Sequence, residues 1–359
     1  MAELRSAAGR LEATFVPGAG MLGWSLRHDA EELIGHPVSL KAYVKTGEPT
    51  GVALLHPWAN RLAAPEHEIA GRRVRLDLAA PNVHTDEHGM PIHGLVAGSP
   101  RWEVLEETAV RLAARLDFAA APELRAGFPF AHTLELVAAL ADDALAIETT
   151  LRPTGEEPVP VAFGFHPYLR LPGLDRRDWI VELPVTRRMV LDDRMLPTGR
   201  ASLSGSRRLH WATGRSTTLS TGWPGRPSSP CVAAGGEWPC ASARATASLR
   251  SYAPPGAGFI SFEPMTAPIN PFASDRTHVA PPGRRTARGS RSQSPRRSGH
   301  PESGHSTARA GAPSAPSTRS GRHARRYAPG STARRSRPST TATSWPSSAR
   351  WASPSPIDR

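Results

Sequence analysis

Apolar and polar residues alternate in short windows over the first two hundred positions. Leu11-Glu12-Ala13-Thr14-Phe15-Val16, Val74-Arg75-Leu76-Asp77-Leu78 and His132-Thr133-Leu134-Glu135-Leu136-Val137 each put every second side chain on one face. That is the period of a half-buried strand. The pattern continues over Ala144–Leu151, Val159–Leu171 and Trp179–Val185. Turn residues separate the windows at Pro17-Gly18, Ala70-Gly71, Asp142-Asp143, Pro153-Thr154-Gly155 and Pro172-Gly173. Short helices are expected only at Pro37–Lys45 and Ala119–Arg125, and neither shows a clear capping residue. Many short strands joined by short turns predict an all-β sandwich or barrel. No repeat of roughly 20–50 residues marks a propeller or solenoid.

Charge changes this picture beyond residue 200. Residues 1–200 carry a net charge of −6 and residues 201–359 a net of +18. No lysine follows Lys45, and from Arg284 onward Ile357 is the sole Leu, Ile, Val or Phe. A segment so poor in apolar side chains cannot offset its backbone entropy by burial, so a disordered Arg/Ser/Pro-rich tail is expected over 284–359. Clustered arginines suit a nucleic-acid-binding arm. The same composition is what a GC-rich gene yields when translated out of frame. Shifting Trp211–Gly222 by two bases forces a glycine at the first junction and permits Gly-Asp-Arg-Thr-Phe-Asp-Asp. The same shift after His278 permits Ala-Pro-Gly-x-x-Tyr-x-Ala-Arg-Phe, a plausible final strand. The frame explanation is therefore preferred, and nucleic-acid binding by the tail is not expected to be biological.

Between these stretches, Tyr252 to Phe272 reads as ordinary folded-protein sequence. The frame reads as lost near 200–211, regained near 250 and lost again near 280. The expected organisation is a β-sandwich domain over residues 1–283, with 201–250 out of frame, followed by the 284–359 tail. An open sandwich that loses strands exposes unpaired edges. Cys231 and Cys240 both fall in the shifted stretch and support no disulfide or metal site. Met1-Ala2-Glu3-Leu4-Arg5 begins no apolar signal region, and no run reaches the roughly 18 apolar residues of a membrane span. A cytoplasmic protein without membrane contact is expected.

Four short motifs carry the candidate chemistry. Glu263 ends the strand-like Phe259-Ile260-Ser261-Phe262 and precedes Pro264, so it is either a strand-end catalytic carboxylate or an exposed loop acid. His166 follows the alternating Val161–Phe165 and precedes Pro167, with Gly164 leaving room for a ligand near the backbone. An imidazole titrating near neutrality can give or take a proton, although a satisfied core histidine fits equally well. His93 precedes Gly94 after His84 and His88, close to Asp86 and Glu87. The spacing matches no tight metal-ligand motif, so a metal is disfavoured. His93 is the candidate here, and His84 and His88 are taken as solvated loop residues. Asn60 and Arg61 follow Pro57-Trp58 and offer the donors and acceptor that polyols need, with Trp58 as a possible aromatic face. A local turn with an Arg salt bridge is the alternative.

In Pro-Trp-Ala-Asn60-Arg61-Leu, Ile-His93-Gly-Leu-Val with the later Trp102, Gly-Phe-His166-Pro-Tyr and Phe-Glu263-Pro-Met-Thr-Ala-Pro, the chain resembles the aldose 1-epimerases, also called galactose mutarotases. The similarity covers roughly residues 10–200 and 250–280. It implies a galactose-mutarotase-like β-supersandwich, here incomplete, that acts on a free aldohexose without cofactor or metal. Glu263 would then be the general base, His166 the general acid, and His93, Asn60 and Arg61 sugar contacts. The family places an Asp between the His-Pro-Tyr and Glu-Pro motifs. This chain has Ser216, Thr217 and Thr218 there, and the shifted frame would restore Asp-Asp. Weak activity or none is expected of the chain as it stands. A non-catalytic carbohydrate-binding sandwich would need neither His166 nor Glu263, and a hexose-6-phosphate epimerase would need an extra basic cluster.

Overall fold

The computed structural model describes residues 1–142, 144–183, 187–203, 248–273 and 277–282, with the backbone of short strands at 207–210, 218–221, 231–233, 242–243 and 340–346. The principal strands are β1 (Ala2–Arg5), β2 (Leu11–Val16), β3 (Leu22–His28), β4 (Val52–Leu55), β5 (Glu103–Glu107), β6 (Arg111–Asp117), β7 (His132–Leu140) and β8 (Ala144–Pro153). They continue as β9 (Gly164–Leu169), β10 (Arg187–Leu191), β11 (Pro197–Leu203), β12 (Thr218–Thr221), β13 (Ser248–Tyr252), β14 (Ile260–Met265) and β15 (Thr340–Pro346). The larger sheet runs β1-β2-β3-β4-β9-β14-β13-β12-β10-β11, with Glu31–Glu32 paired onto β3. The second runs from Ser242–Ala243 through β15, β8, β7 and β6 to β5.

The alternating windows fold as their period dictates. In β2, Leu11, Ala13 and Phe15 are buried while Glu12, Thr14 and Val16 are only partly covered. In β7, Leu134, Leu136 and Ala138 are buried, and they join the β2 residues and Leu112, Ala114 and Leu116 of β6 in one apolar core. Each buried Leu or Phe among them stabilises the fold by about 1.5–3 kcal/mol relative to exposure. This shared core holds the two sheets against each other and leaves the middle of the larger sheet to carry polar groups.

Some details differ from expectation. The window at Val74–Leu78 forms a strand over Arg72–Arg75, which pairs with Glu66–Ile69 in a hairpin. The Val159–Leu171 window is two strands, Val159–Val161 and β9. The first helix (Leu40–Thr46) does have a cap, because Ser39 Oγ accepts the Ala42 N–H. The second spans Pro122–Gly127, with proline in its first turn. Within 284–359 the described residues are those of β15, whose backbone pairs antiparallel with β8 from Ala144↔Pro346 to Thr150↔Thr340. Its Thr-Thr-Ala-Thr run is β-branched, which suits extended backbone. The described residues all fall within Met1–Gly283 and Pro338–Arg359, and the segment between these ranges is Arg284–Arg337. The latter lies outside the described residues, as does most of the stretch read as out of frame. Among the described residues no helix is long and apolar enough to cross a membrane.

Candidate active site

Antiparallel register builds the floor of the site. β9 pairs with β14 at Gly164↔Met265 and Tyr168↔Ser261, and β13 pairs with β14 at Arg250↔Glu263 and Tyr252↔Ser261. Residues two apart on a strand share a face. His166, Glu263 and Arg250 therefore form one row across three strands, and Tyr168, Ser261 and Tyr252 form the next. His166 Nε2 lies 3.4 Å from Glu263 Oε1, and its Nδ1 lies 3.2 Å from Ser261 Oγ. The Tyr168 ring stacks on the His166 imidazole, with centroids 4.6 Å apart.

Two loops supply the walls. After β4 the chain turns through His56–Arg61 and places Asn60 in the left-handed region at φ +62°. Its carbonyl accepts the amide N–H of His93, itself at φ +65°. Gly94 follows at φ +78°, where an added Cβ would stand 2.2 Å from the His56 carbonyl oxygen. Left-handed Asn and His each cost about 1 kcal/mol, a conformation kept only where the surroundings over-determine it. Here the cross-loop hydrogen bonds do so and bring His93 beside His166, with ring centroids 5.3 Å apart. His93 Nδ1 is buried and has no hydrogen-bond partner among the described residues.

Arg61 is held from behind. Its Nε donates to Asp86 Oδ2 at 2.6 Å, and its Nη2 reaches both Glu87 oxygens at 2.9 Å. Those two acids, which stood near the histidines in sequence as conceivable metal ligands, are thus engaged by a guanidinium. Asn60 Oδ1 accepts the Arg61 amide at 3.0 Å and Arg250 Nη1 at 3.1 Å, while Nδ2 faces Glu263 Oε2 at 3.5 Å.

These groups open onto a cavity of about 610 Å³. All five residues picked out in the sequence, His166, Glu263, Asn60, Arg61 and His93, line it. His84, taken as a solvated loop residue, lines it too, because its ring packs over Gly47 at the end of the first helix. His88 does stay at the surface. Trp58 is no sugar platform: it is fully buried, edge-on to His67 and Phe272. Tyr168 and Tyr252 supply the aromatic lining instead. The space expected beside Gly164 is filled by protein, since a Cβ there would meet the Pro264 carbonyl oxygen at 2.8 Å. Arg250 was missed altogether. The alternation of Arg250 and Tyr252 is a strand signal, but it lies where the sequence reads as only just back in frame. The position of the expected Asp, Ser216–Thr218, lies outside the residues whose side chains are described.

Burial sets the protonation states. It pushes the His166 imidazole below its ordinary value; the Glu263 carboxylate opposes this and the Arg250 charge adds to it. His93 is driven well below, first by burial and then by His166, Arg250 and Arg61. Burial pushes Asp86 up, but the amides of Met90 and His88 and the Arg61 guanidinium outweigh it and hold the carboxyl low. Arg61 thus faces two ionised carboxylates. A carboxylate and an imidazole in contact on a buried floor can take one proton and give another to the same small molecule.

The fold shares its architecture with mutarotase-like enzymes. A galactose mutarotase-like protein from Clostridium acetobutylicum is 16% identical with a TM-score of 0.65, covering 76% of this chain and 89% of its own. A galactose mutarotase related enzyme from Lactobacillus acidophilus is 16% identical with a TM-score of 0.62, covering 79% and 93%. The GalM/aldose epimerase homologue from C. elegans is 15% identical with a TM-score of 0.60, covering 79% and 94%. At such identities the likeness is one of fold. No curated protein sequence matches the chain significantly. The sequence profile of the aldose 1-epimerases matches residues 6–209, over half of the chain, and the chain belongs to the aldose 1-epimerase family.

Proposed function

We propose that this protein interconverts the α and β anomers of a free aldohexose. The observation that carries this is the His166–Glu263 contact of 3.4 Å on the floor of the cavity. The anomeric hydroxyl and the ring oxygen of a pyranose sit on the same carbon, so two adjacent groups can reach both. Glu263 takes the proton of the C1 hydroxyl, the C1–ring oxygen bond breaks, and the ring oxygen takes a proton from His166. Rotation about C1–C2 and reclosure on the other face return both protons in reversed roles. An acid and a base used this way each contribute roughly 10²–10⁴ in rate. His93, which lines the cavity beside His166, contacts the sugar near the ring oxygen, and Arg61 with Asn60 orients hydroxyls.

The lining favours a neutral sugar over a phosphorylated one. Glu48, Asp86, Glu87 and Glu263 outnumber Arg61 and Arg250, and both guanidiniums already face acids. The extra basic cluster that a hexose-6-phosphate epimerase needs is thus not among the described lining residues. Without the family's Asp, the rate should be low relative to a chain that has it.

The test is anomer exchange followed by magnetisation-transfer NMR, with binding measured separately by calorimetry. Glu263→Gln and His166→Asn should bring exchange to the spontaneous rate while sugar still binds. Unchanged exchange in both variants, or a wild-type chain that binds sugar without exchanging it, would sink the catalytic reading in favour of a carbohydrate-binding sandwich.

A further inference from the structure

We propose that Arg250 is a positioning residue for the base: it locks the Asn60 side-chain amide in the orientation that aims its N–H at Glu263. This rests on Glu263 acting as the base, as proposed above. The Asn60 Oδ1 receives the Arg61 backbone N–H at 3.0 Å, Arg250 Nη1 at 3.1 Å and Arg61 Nη1 at 3.5 Å. An amide has one acceptor end and one donor end, so three donors converging on Oδ1 define which way it faces. The donor end then meets Glu263 Oε2 at 3.5 Å. Asn60 cannot swing away, because its backbone is pinned by His93 and its side chain is 1% exposed with its residue.

Arg250 reaches Asn60 from β13, whereas Arg61 is its neighbour in the chain. It stands directly across the ladder from Glu263, with Nε 3.8 Å from Oε1. Glu263 is accordingly bracketed: His166 and Arg250 face one oxygen, and Asn60 faces the other. The oxygen beside His166 is the one placed for proton exchange with substrate, and the other is anchored through Asn60. Arg61 shares this work through its amide and Nη1, while its Nε and Nη2 are committed to Asp86 and Glu87, so Arg250 supplies the one side-chain donor to Oδ1 within 3.1 Å among the described residues. Asn60, proposed above as a sugar contact, also acts in this arrangement through Glu263.

The experiment uses the full chain with Arg250→Met, Arg250→Lys, Asn60→Ala and the Met/Ala double variant. Exchange kinetics on glucose and galactose should show kcat falling about 100-fold in Arg250→Met, as for a misaimed catalytic group, with KM within about threefold. Arg250→Lys should recover part of the loss, and the double variant should be no worse than the poorer single, because the two act as one unit. The second readout is the Asn60 side-chain NH₂ signal in ¹⁵N spectra, assigned by its loss in Asn60→Ala. It should shift in Arg250→Met and return in Arg250→Lys. A KM rise with kcat unchanged would make Arg250 a sugar contact and overturn the proposal, as would an unmoved Asn60 signal in folded Arg250→Met. If the wild type exchanges no anomers, the epimerase reading fails, while the Asn60 signal still decides the role of Arg250.

Discussion

His166 and Glu263 face each other across adjacent antiparallel strands, with Nε2 and Oε1 3.4 Å apart and both side chains almost fully buried. Burial lowers the imidazole more than the carboxylate raises it. The acid form of His166 is thus populated only below the ordinary histidine range, and it is a stronger acid for that reason. Accordingly, kcat/KM for anomer exchange should already be falling as pH rises towards about 6.5, the unperturbed value, and should keep falling above it. Steady-state exchange between pH 5 and 8 checks this. A rate that climbs steadily through that window would show that neutral His166 is the working form.

Arg61 points into the cavity only because Asp86 and Glu87 hold it. Asp86, with its side chain 1% exposed, accepts Arg61 Nε on one oxygen and the His88 and Met90 amides on the other. Asp86→Ala removes all three acceptor contacts and leaves a buried guanidinium short of a partner. The expected cost is on the order of 3 kcal/mol in urea unfolding, with a rise in KM for sugar. Asp86→Asn keeps an acceptor for the amides but loses the charge, so it should lie between. Equal stability in all three proteins would show that the loop is held by other contacts.

A second histidine pair predicts acid lability away from the cavity. His56 Nε2 and His132 Nε2 are 2.9 Å apart among Phe118, Phe128 and Phe163. His132 Nδ1 faces the Phe130 carbonyl, so it carries the proton, and His56 Nε2–H donates to His132. Protonating His132 at Nε2 would remove the acceptor, protonating His56 at Nδ1 would bury a charged donor without a partner, and burial lowers His132 to about 4 and His56 well below its ordinary value. The unfolded chain binds protons near 6.5, which the native pair refuses. Stability is therefore full above 6.5 and is lost as pH falls towards 4, by about 2 kcal/mol at pH 5 for His132 alone. Melting temperatures at pH 7 and pH 5 should differ markedly in the wild type and less in His56→Leu/His132→Leu. An identical pH dependence in both would assign the lability elsewhere.

Much of this architecture was legible in the alternation of side chains, because one-face burial leaves a period of two. Leu11–Val16 was found to the residue, and His132 and Ala144 were correctly placed as strand starts. The pairing of His166 and Glu263 at one cavity, proposed above as catalytic, was foreshadowed too, since both sit in strands flanked by prolines. What could not be read was partnership across distance. Nothing local says that Asp86 and Glu87 bind Arg61, or that Trp58 turns inward while Tyr252 turns to the cavity. Each is set by register and loop packing. Ser39 caps the first helix although no convincing cap was read there, because the cap is settled by the Ser39 rotamer that accepts the Ala42 N–H.

The frame reading makes the last prediction. β8 presents an edge that β15 fills, and β15 is drawn from beyond position 339 of a tail with almost no apolar residues. The segment read in the shifted frame after His278 is strand-like and follows directly on His278–Ala280, which already pairs with Val159–Val161. It is the better candidate for that edge, since the loop to be closed is far shorter. Resequencing the coding DNA from codon 190 to the stop should therefore reveal insertions or deletions that restore Asp near positions 216–218 and end the chain soon after residue 290. The corrected protein should protect the β8 amides Ala144–Thr150 from hydrogen exchange at least as well as the present chain and exchange anomers faster. It leaves His166, Glu263, Asn60, Arg61 and His93 untouched. Position 250 stands where the frame resumes, so its corrected identity decides whether Asn60 keeps a second guanidinium. A coding sequence that reads through unchanged would instead make β15 the true edge strand, and deleting residues 338–359 should then expose β8 and drive the protein to aggregate.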